Sequence, residues 1–179
     1  MAIIKIAQAT VGAGGATTIV FSAIPATYTD LQLIVSTRLN AVTTGNFQLI
    51  VNGDTTNAVQ SHRTLEGNGA SPQSLSGSAV AYFAYLGKVP GTDTTASTFG
   101  STTIYIPNYS GATNKTISVD NVTENNATTA WQGIFAGLRG DTGAVTSLTI
   151  QGQGNAFAQY SSATLYGISK SGATGATVA

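Results

Sequence analysis

His62 is the only histidine in the chain, and there is no cysteine. A Ser/His/Asp triad would have to be built on that one imidazole. Its neighbourhood, Ser61-His62-Arg63-Thr64-Leu65-Glu66-Gly67-Asn68, holds no recognisable nucleophile elbow, so an ordinary strand-end or surface histidine is expected. One imidazole without thiolates does not make a typical zinc site. Asn52, Asp54 and Asn57 bring three oxygen-bearing side chains to one turn, as a calcium loop does, but Asn52-Gly53 is needed for the turn itself. Asp120 and Glu124 are two nearby carboxylates of the kind a glycosidase sets across a cleft. Contacts to local backbone or arginine are the simpler expectation for them. Residues 11–16, VGAGGA, have the glycines of a phosphate loop but not the Lys-Ser/Thr that follows it. Arg139-Gly140-Asp141 spells an adhesion tripeptide that turn chemistry alone explains. Sequons at Asn108, Asn114, Asn121 and Asn126 follow from a Thr-rich composition. No catalytic residue, metal ligand or cofactor is assigned, and the chain is expected not to be an enzyme.

Aromatic rings are the other groups with recognition chemistry. Tyr28, Tyr105, Tyr109, Trp131, Tyr160 and Tyr166 are candidates for stacking on sugar rings, although aromatics on alternating strands more often serve a core or an interface. Charge is scarce. Seven Lys or Arg and seven Asp or Glu make up 8% of the 179 residues and cancel, where a soluble domain usually carries about a quarter. The basic residues are scattered, so no nucleic-acid surface is expected. Lys5 interrupts the apolar start, and no stretch reaches the length of a membrane span, so neither a signal peptide nor a membrane partner is expected. Charge normally keeps proteins dispersed and sheet edges unpaired. A chain with so little of it is expected to be packed among neighbours.

The elements that position these side chains are predicted to be strands. Short runs of Val, Ile, Leu, Thr, Tyr and Phe recur between Gly, Asn, Asp, Ser and Pro, and helical periodicity is missing. Strands are predicted over residues 3–9, 16–21, 30–38, 46–51, 58–65, 79–89, 100–106, 115–123, 129–138, 145–151 and 161–168. In 30–38, Leu31, Leu33 and Val35 face one way and Gln32, Ile34 and Ser36 the other. Asn52-Gly53 predicts a type I′ hairpin joining 46–51 to 58–65, with 66–78 as a loop. Segments 79–89 and 129–138 carry apolar groups on both faces, which places them between core layers or against a partner subunit. Val80, Tyr82, Phe83, Tyr85, Trp131, Ile134 and Phe135 are therefore the candidate oligomer or partner interface. The expected fold is all-β: a single antiparallel β-sandwich, jelly-roll-like, over residues 16–168. Residues 1–15 form an arm or edge strand, and 169–179 a small-residue tail.

Four stretches carry a resemblance: TYTDLQLIVSTR (27–38), FGSTTIYIPNY (99–109), SVDNVTENNATTAWQGIFAGL (118–138) and AQYSSATLYGI (158–168). Together, in this order, they resemble a β-rich module of virion proteins in tailed bacteriophages, notably marine and cyanobacterial ones. The resemblance runs from about residue 19 to 168 and brings no catalytic residue with it. It implies a virion structural protein made in the host cytoplasm. Little of this sequence lies outside the module, and it has no fibre shaft or heptad coiled coil. That favours a capsid decoration or cement protein, acting as a homotrimer with the major capsid protein as partner. The alternative is a tail or head fibre module that recognises host surface glycan.

Overall fold

A computed structural model describes residues 1–68, 71–126 and 129–169. Twelve strands follow one another: β1 (Ala2–Thr10), β2 (Thr18–Phe21), β3 (Asp30–Thr37), β4 (Gly45–Val51), β5 (Gln60–Gly67) and β6 (Gln73–Val80), then β7 (Lys88–Val89), β8 (Gly100–Ile106), β9 (Lys115–Asn125), β10 (Thr129–Arg139), β11 (Leu148–Gly152) and β12 (Ser162–Ser169). There is no helix among the described residues, and therefore none long and apolar enough to cross a membrane.

The strands form two antiparallel sheets. The larger has the order β1-β12-β3-β8-β9-β10-β5-β6, the smaller β2-β11-β4-β7. Period-two alternation explains why they stack. Leu31, Leu33 and Val35 of β3, Ile104 and Ile106 of β8, and Ile117 and Val119 of β9 point inward and are buried. They meet Ile19 and Phe21 of β2, Phe47, Leu49 and Val51 of β4, and Leu148 and Ile150 of β11 in a single core cluster. The all-β sandwich expectation is met. A jelly roll has eight strands in two Greek keys; here the rows β1-β12-β3-β8 and β2-β11-β4-β7 face one another, and β9, β10, β5 and β6 extend the larger sheet beyond β8.

The segment predicted as one strand over 79–89 is instead a crossing. Ala79 (φ 53°), Tyr85 (φ 60°) and Gly87 (φ 154°) leave the β region and interrupt it. Between them the chain passes from the larger sheet to the smaller one. Phe83 exchanges two backbone hydrogen bonds with Leu49, and Leu86 N–H and Gly87 C=O bond Phe47. The inward row of β5 holds this crossing: Gln60 Nε2 donates to Ala81 O, Thr64 Oγ1 donates to Tyr85 O, and Glu66 meets Lys88.

Two other expectations are corrected. Asn52 (φ 58°) and Gly53 (φ 67°) do take the left-handed turn conformation, but the strands beside them do not pair. β4 pairs with β11 and β7, while β5 pairs with β10 and β6. Asn52 serves a longer contact: its Oδ1 accepts from Thr146 and Ser147 N–H, and its Nδ2 donates to Ala144 O. The predicted 66–78 loop contains β6, whose Ser and Gly residues pair along β5 without a strong alternation of their own. Residues 2–10 form an edge strand on β12, and only Ser169 of the small-residue tail lies within the described residues.

Candidate functional site

Of the seven basic and seven acidic side chains, Asp30, Arg38, Glu66, Lys115 and Arg139 are buried. Each serves the fold. Arg38 donates to Thr94 Oγ1 and to the carbonyls of Thr94, Thr95 and Thr98. Lys115 Nζ donates to the carbonyls of Gly111, Thr113 and Thr142, and burial lowers its pKa. Arg139 pairs with Asp141 at 2.6 Å and Asp54 at 3.5 Å. Asp30 accepts from Tyr105 Oη–H and Asn108 N–H. Among the described residues, only Lys5, Arg63, Asp93 and Asp120 are exposed charges. The surface is thus more neutral than the composition alone implies.

The outer face of the larger sheet is the clearest case. Paired residues share a face, so register alone defines its rows. Thr164, Ile34, Thr103, Asp120, Ile134, Leu65 and Ser74 lie side by side across seven strands. The next row includes Ser36, Ser101, Val122 and Gln132. Ile34, Leu65, Val122, Ile134 and Leu138 are 42–52% exposed on this face. A groove of about 370 Å³ runs beside Leu65 and Ile134, over Arg63 and Ser74. Lys5, Arg63 and Asp120 are the exposed charges on the face, and Arg63 Nη1 folds back onto His62 O.

The seven interface residues expected from sequence do not gather there. Ile134 alone projects outward from the large sheet. Phe83 and Phe135 are 0% and 4% exposed and pack edge to face, with ring centroids 5.7 Å apart. They belong to the core of one chain and have no surface to offer a partner, which corrects their assignment. Trp131 lies half-buried on the inner face of β10, with the Lys88 ammonium 5.3 Å above its ring. Val80, Tyr82 and Tyr85 are half-buried in or beside the crossing segment. Ile34, Leu65 and Val122 were not expected at an interface. The alternation in 30–38 already set Ile34 apart from the core leucines; nothing comparable marked Leu65.

His62 is in neither a triad nor a surface position. It is 3% exposed, stacks on Phe135 at 5.4 Å and has no hydrogen-bond partner at Nδ1 or Nε2. Burial, and secondarily Arg63, lower its pKa. The carboxylate of Asp54 is occupied by Thr56 and Asn57 N–H groups, which hold its pKa below the usual value. Asp120 stands exposed, while Glu124 accepts from Thr95 N–H and Thr95 Oγ1. Asp141 turns back to Gly143 N–H and Arg139, so the tripeptide is closed on itself. Asn121 is wholly buried. Asn57 stays with Asp54, donating its N–H and Nδ2 to that carboxylate, while Asn52 turns away to Ala144, Thr146 and Ser147. No family model, curated protein or solved structure matches the chain.

Proposed function

We propose that this chain is a non-enzymatic structural protein that works by associating through the outer face of its larger sheet. The observation that carries the proposal is that face: eight strands wide, nearly free of charge, with five aliphatic side chains left about half exposed. At strand spacings of about 4.8 Å and rises of about 3.3 Å per residue, a face seven residues tall covers about 800 Å², which is what one partner contributes to a standard interface. Burying aliphatic groups there gains about 25 cal/mol per Å². Ser, Thr and Gln fill the remainder with hydrogen bonds and avoid the desolvation cost of ions.

The resemblance of four stretches to a tailed-phage module supports a virion setting for this association. Within it, the proposed role is a capsid decoration or cement protein, a homotrimer seated on the major capsid protein. Light scattering of the purified chain tests the association: the expected mass is three times 18.1 kDa, and a concentration-independent monomer overturns it. Antibody labelling of particles tests the location. Head-surface label is expected, and label at the tail tip favours the fibre reading instead.

A further inference from the structure

We propose that a second site, the cleft between Tyr160 and Phe99 beside the edge of the assembly face, binds an oligosaccharide. This inference does not rest on the assembly face. The cleft holds about 390 Å³ and is built where four loops converge: the β1–β2 turn, the chain after β3, the loop before β8 and the loop before β12. That volume falls within the range of small-molecule sites.

Three observations point to a ligand. Tyr160 is 69% exposed, the most of any aromatic large hydrophobic among the described residues, and it holds φ at 72°. A left-handed backbone is strained for a side chain with a Cβ, and bulky residues rarely take it. The surrounding frame enforces it: Tyr160 N–H bonds Val11 O, Ser161 N–H bonds Ala158 O, and the buried Ser161 hydroxyl is tied to the Arg38 backbone. An aromatic ring is thus held out in solvent by a conformation that costs free energy, and such strain concentrates at binding sites.

The second observation is the polar lining. Asn40 and Gln159 both edge the cleft, and their side chains, like Tyr160, are exposed to solvent. Two amides and a phenol beside an aromatic face supply what a sugar ring needs: donors and acceptors for its hydroxyls and an apolar plate for its C–H face.

The third is rigidity and length. Arg38 and Glu124 grip the loop at Thr94–Thr98 from two sides, so the far wall is set before any ligand arrives. Phe99 is shared with an adjoining hollow of about 420 Å³ over Ser101, Val122 and Thr129, at the border of the larger sheet's outer face. Two concavities joined at one aromatic suit a chain of sugars more than a single ring.

The test is saturation-transfer NMR on the full chain with maltotriose, cellotriose and triacetylchitotriose. At least one is expected to receive saturation on its ring protons. Tyr160→Gly keeps the backbone conformation without strain. It should cut that transfer at least about fivefold while the melting temperature holds or rises. If Tyr160→Gly does not fold, Asn40→Ala and Gln159→Ala carry the same comparison. Absence of transfer to all three sugars overturns the proposal. So does transfer that survives the substitutions in folded protein.

Discussion

Ile134 of β10 stands directly opposite Leu65 of β5, and both side chains are about half exposed, at 50% and 52%. A cross-strand aliphatic pair is ordinary inside a sandwich. On the open side of an eight-stranded sheet it is apolar area left in water. Asp120 on one flank and Ser74 on the other lie in the same row. The pair marks the centre of the apolar part of that face.

Ile134→Lys is therefore expected to weaken self-association without unfolding the chain. The side chain is exposed on a paired strand, so stability should change by no more than about 0.5 kcal/mol. A lysine facing its own copy across a dry contact adds like-charge repulsion and a desolvation cost. Sedimentation velocity over a concentration series should show the oligomer dissociating at concentrations at least tenfold higher than for the unaltered chain, about 1.4 kcal/mol. An unchanged sedimentation profile would place the contact elsewhere.

His62 predicts a pH dependence of folding. Its imidazole is buried against Phe135 and Tyr85 without a partner for either nitrogen, with Arg63 adjacent in sequence. The folded state thus favours the neutral ring, and its pKa lies below that of the unfolded chain. The unfolded chain binds the extra proton first, so stability falls as pH drops below about 6.5. The loss stops growing once the folded-state pKa has been passed. Asp54 and Asp141, with lowered pKa values, act separately: they lose their contribution only below the ordinary carboxylate range. Urea unfolding between pH 7.5 and 5 should show the slope, and His62→Leu should flatten it. A profile identical in both proteins would remove His62 from the account.

Strand alternation made most of this fold legible. β3, β8, β9, β10 and β12 fall within a residue or two of their sequence-predicted bounds because their buried rows repeat every second residue. The crossing at 81–87 was not legible. Its apolar residues alternate as a strand's would, and the left-handed turns at Ala79 and Tyr85 come from tertiary contacts with β4 and β5, not from turn residues. β6 was hidden for the opposite reason. Its serines and glycine carry little strand preference, and Gly77 is required because His62 packs where a Cβ would stand. The outer face was half legible: parity located Ile34 and Ile134, while the burial of five charges could only be seen in three dimensions.

Phe83 separates a core role from an interface role. It is fully buried, touches Phe135 edge to face and bonds Leu49 through its backbone. Phe83→Ala should cost about 3–5 kcal/mol, from lost transfer free energy and the cavity left behind. The loss should appear at every protein concentration in chemical unfolding. A penalty that vanished on dilution to the dissociated chain would mean instead that the ring serves a contact between copies.

Asn121 joins the two sheets. It sits on the inner face of β9 with no exposed surface, and its Nδ2 donates to Thr102 Oγ1 at 2.8 Å and Lys88 O at 3.1 Å. Its Oδ1 accepts from Lys88 N–H at 2.9 Å, so one amide satisfies both backbone groups of a residue in β7. Gly87, at φ 154°, lies so close that a methyl group there would overlap the Asn121 side chain. Asn121→Ala should cost about 1–3 kcal/mol by leaving those Lys88 groups without partners. Gly87→Ala should cost more than its backbone strain alone, because the methyl pushes the amide out of register. Combining the two removes the object of the clash, so the double variant should be less destabilised than the sum of the singles by at least about 0.5 kcal/mol. Denaturant unfolding of all four proteins completes the cycle. Strict additivity would show that Gly87 and Asn121 do not meet as the packing requires.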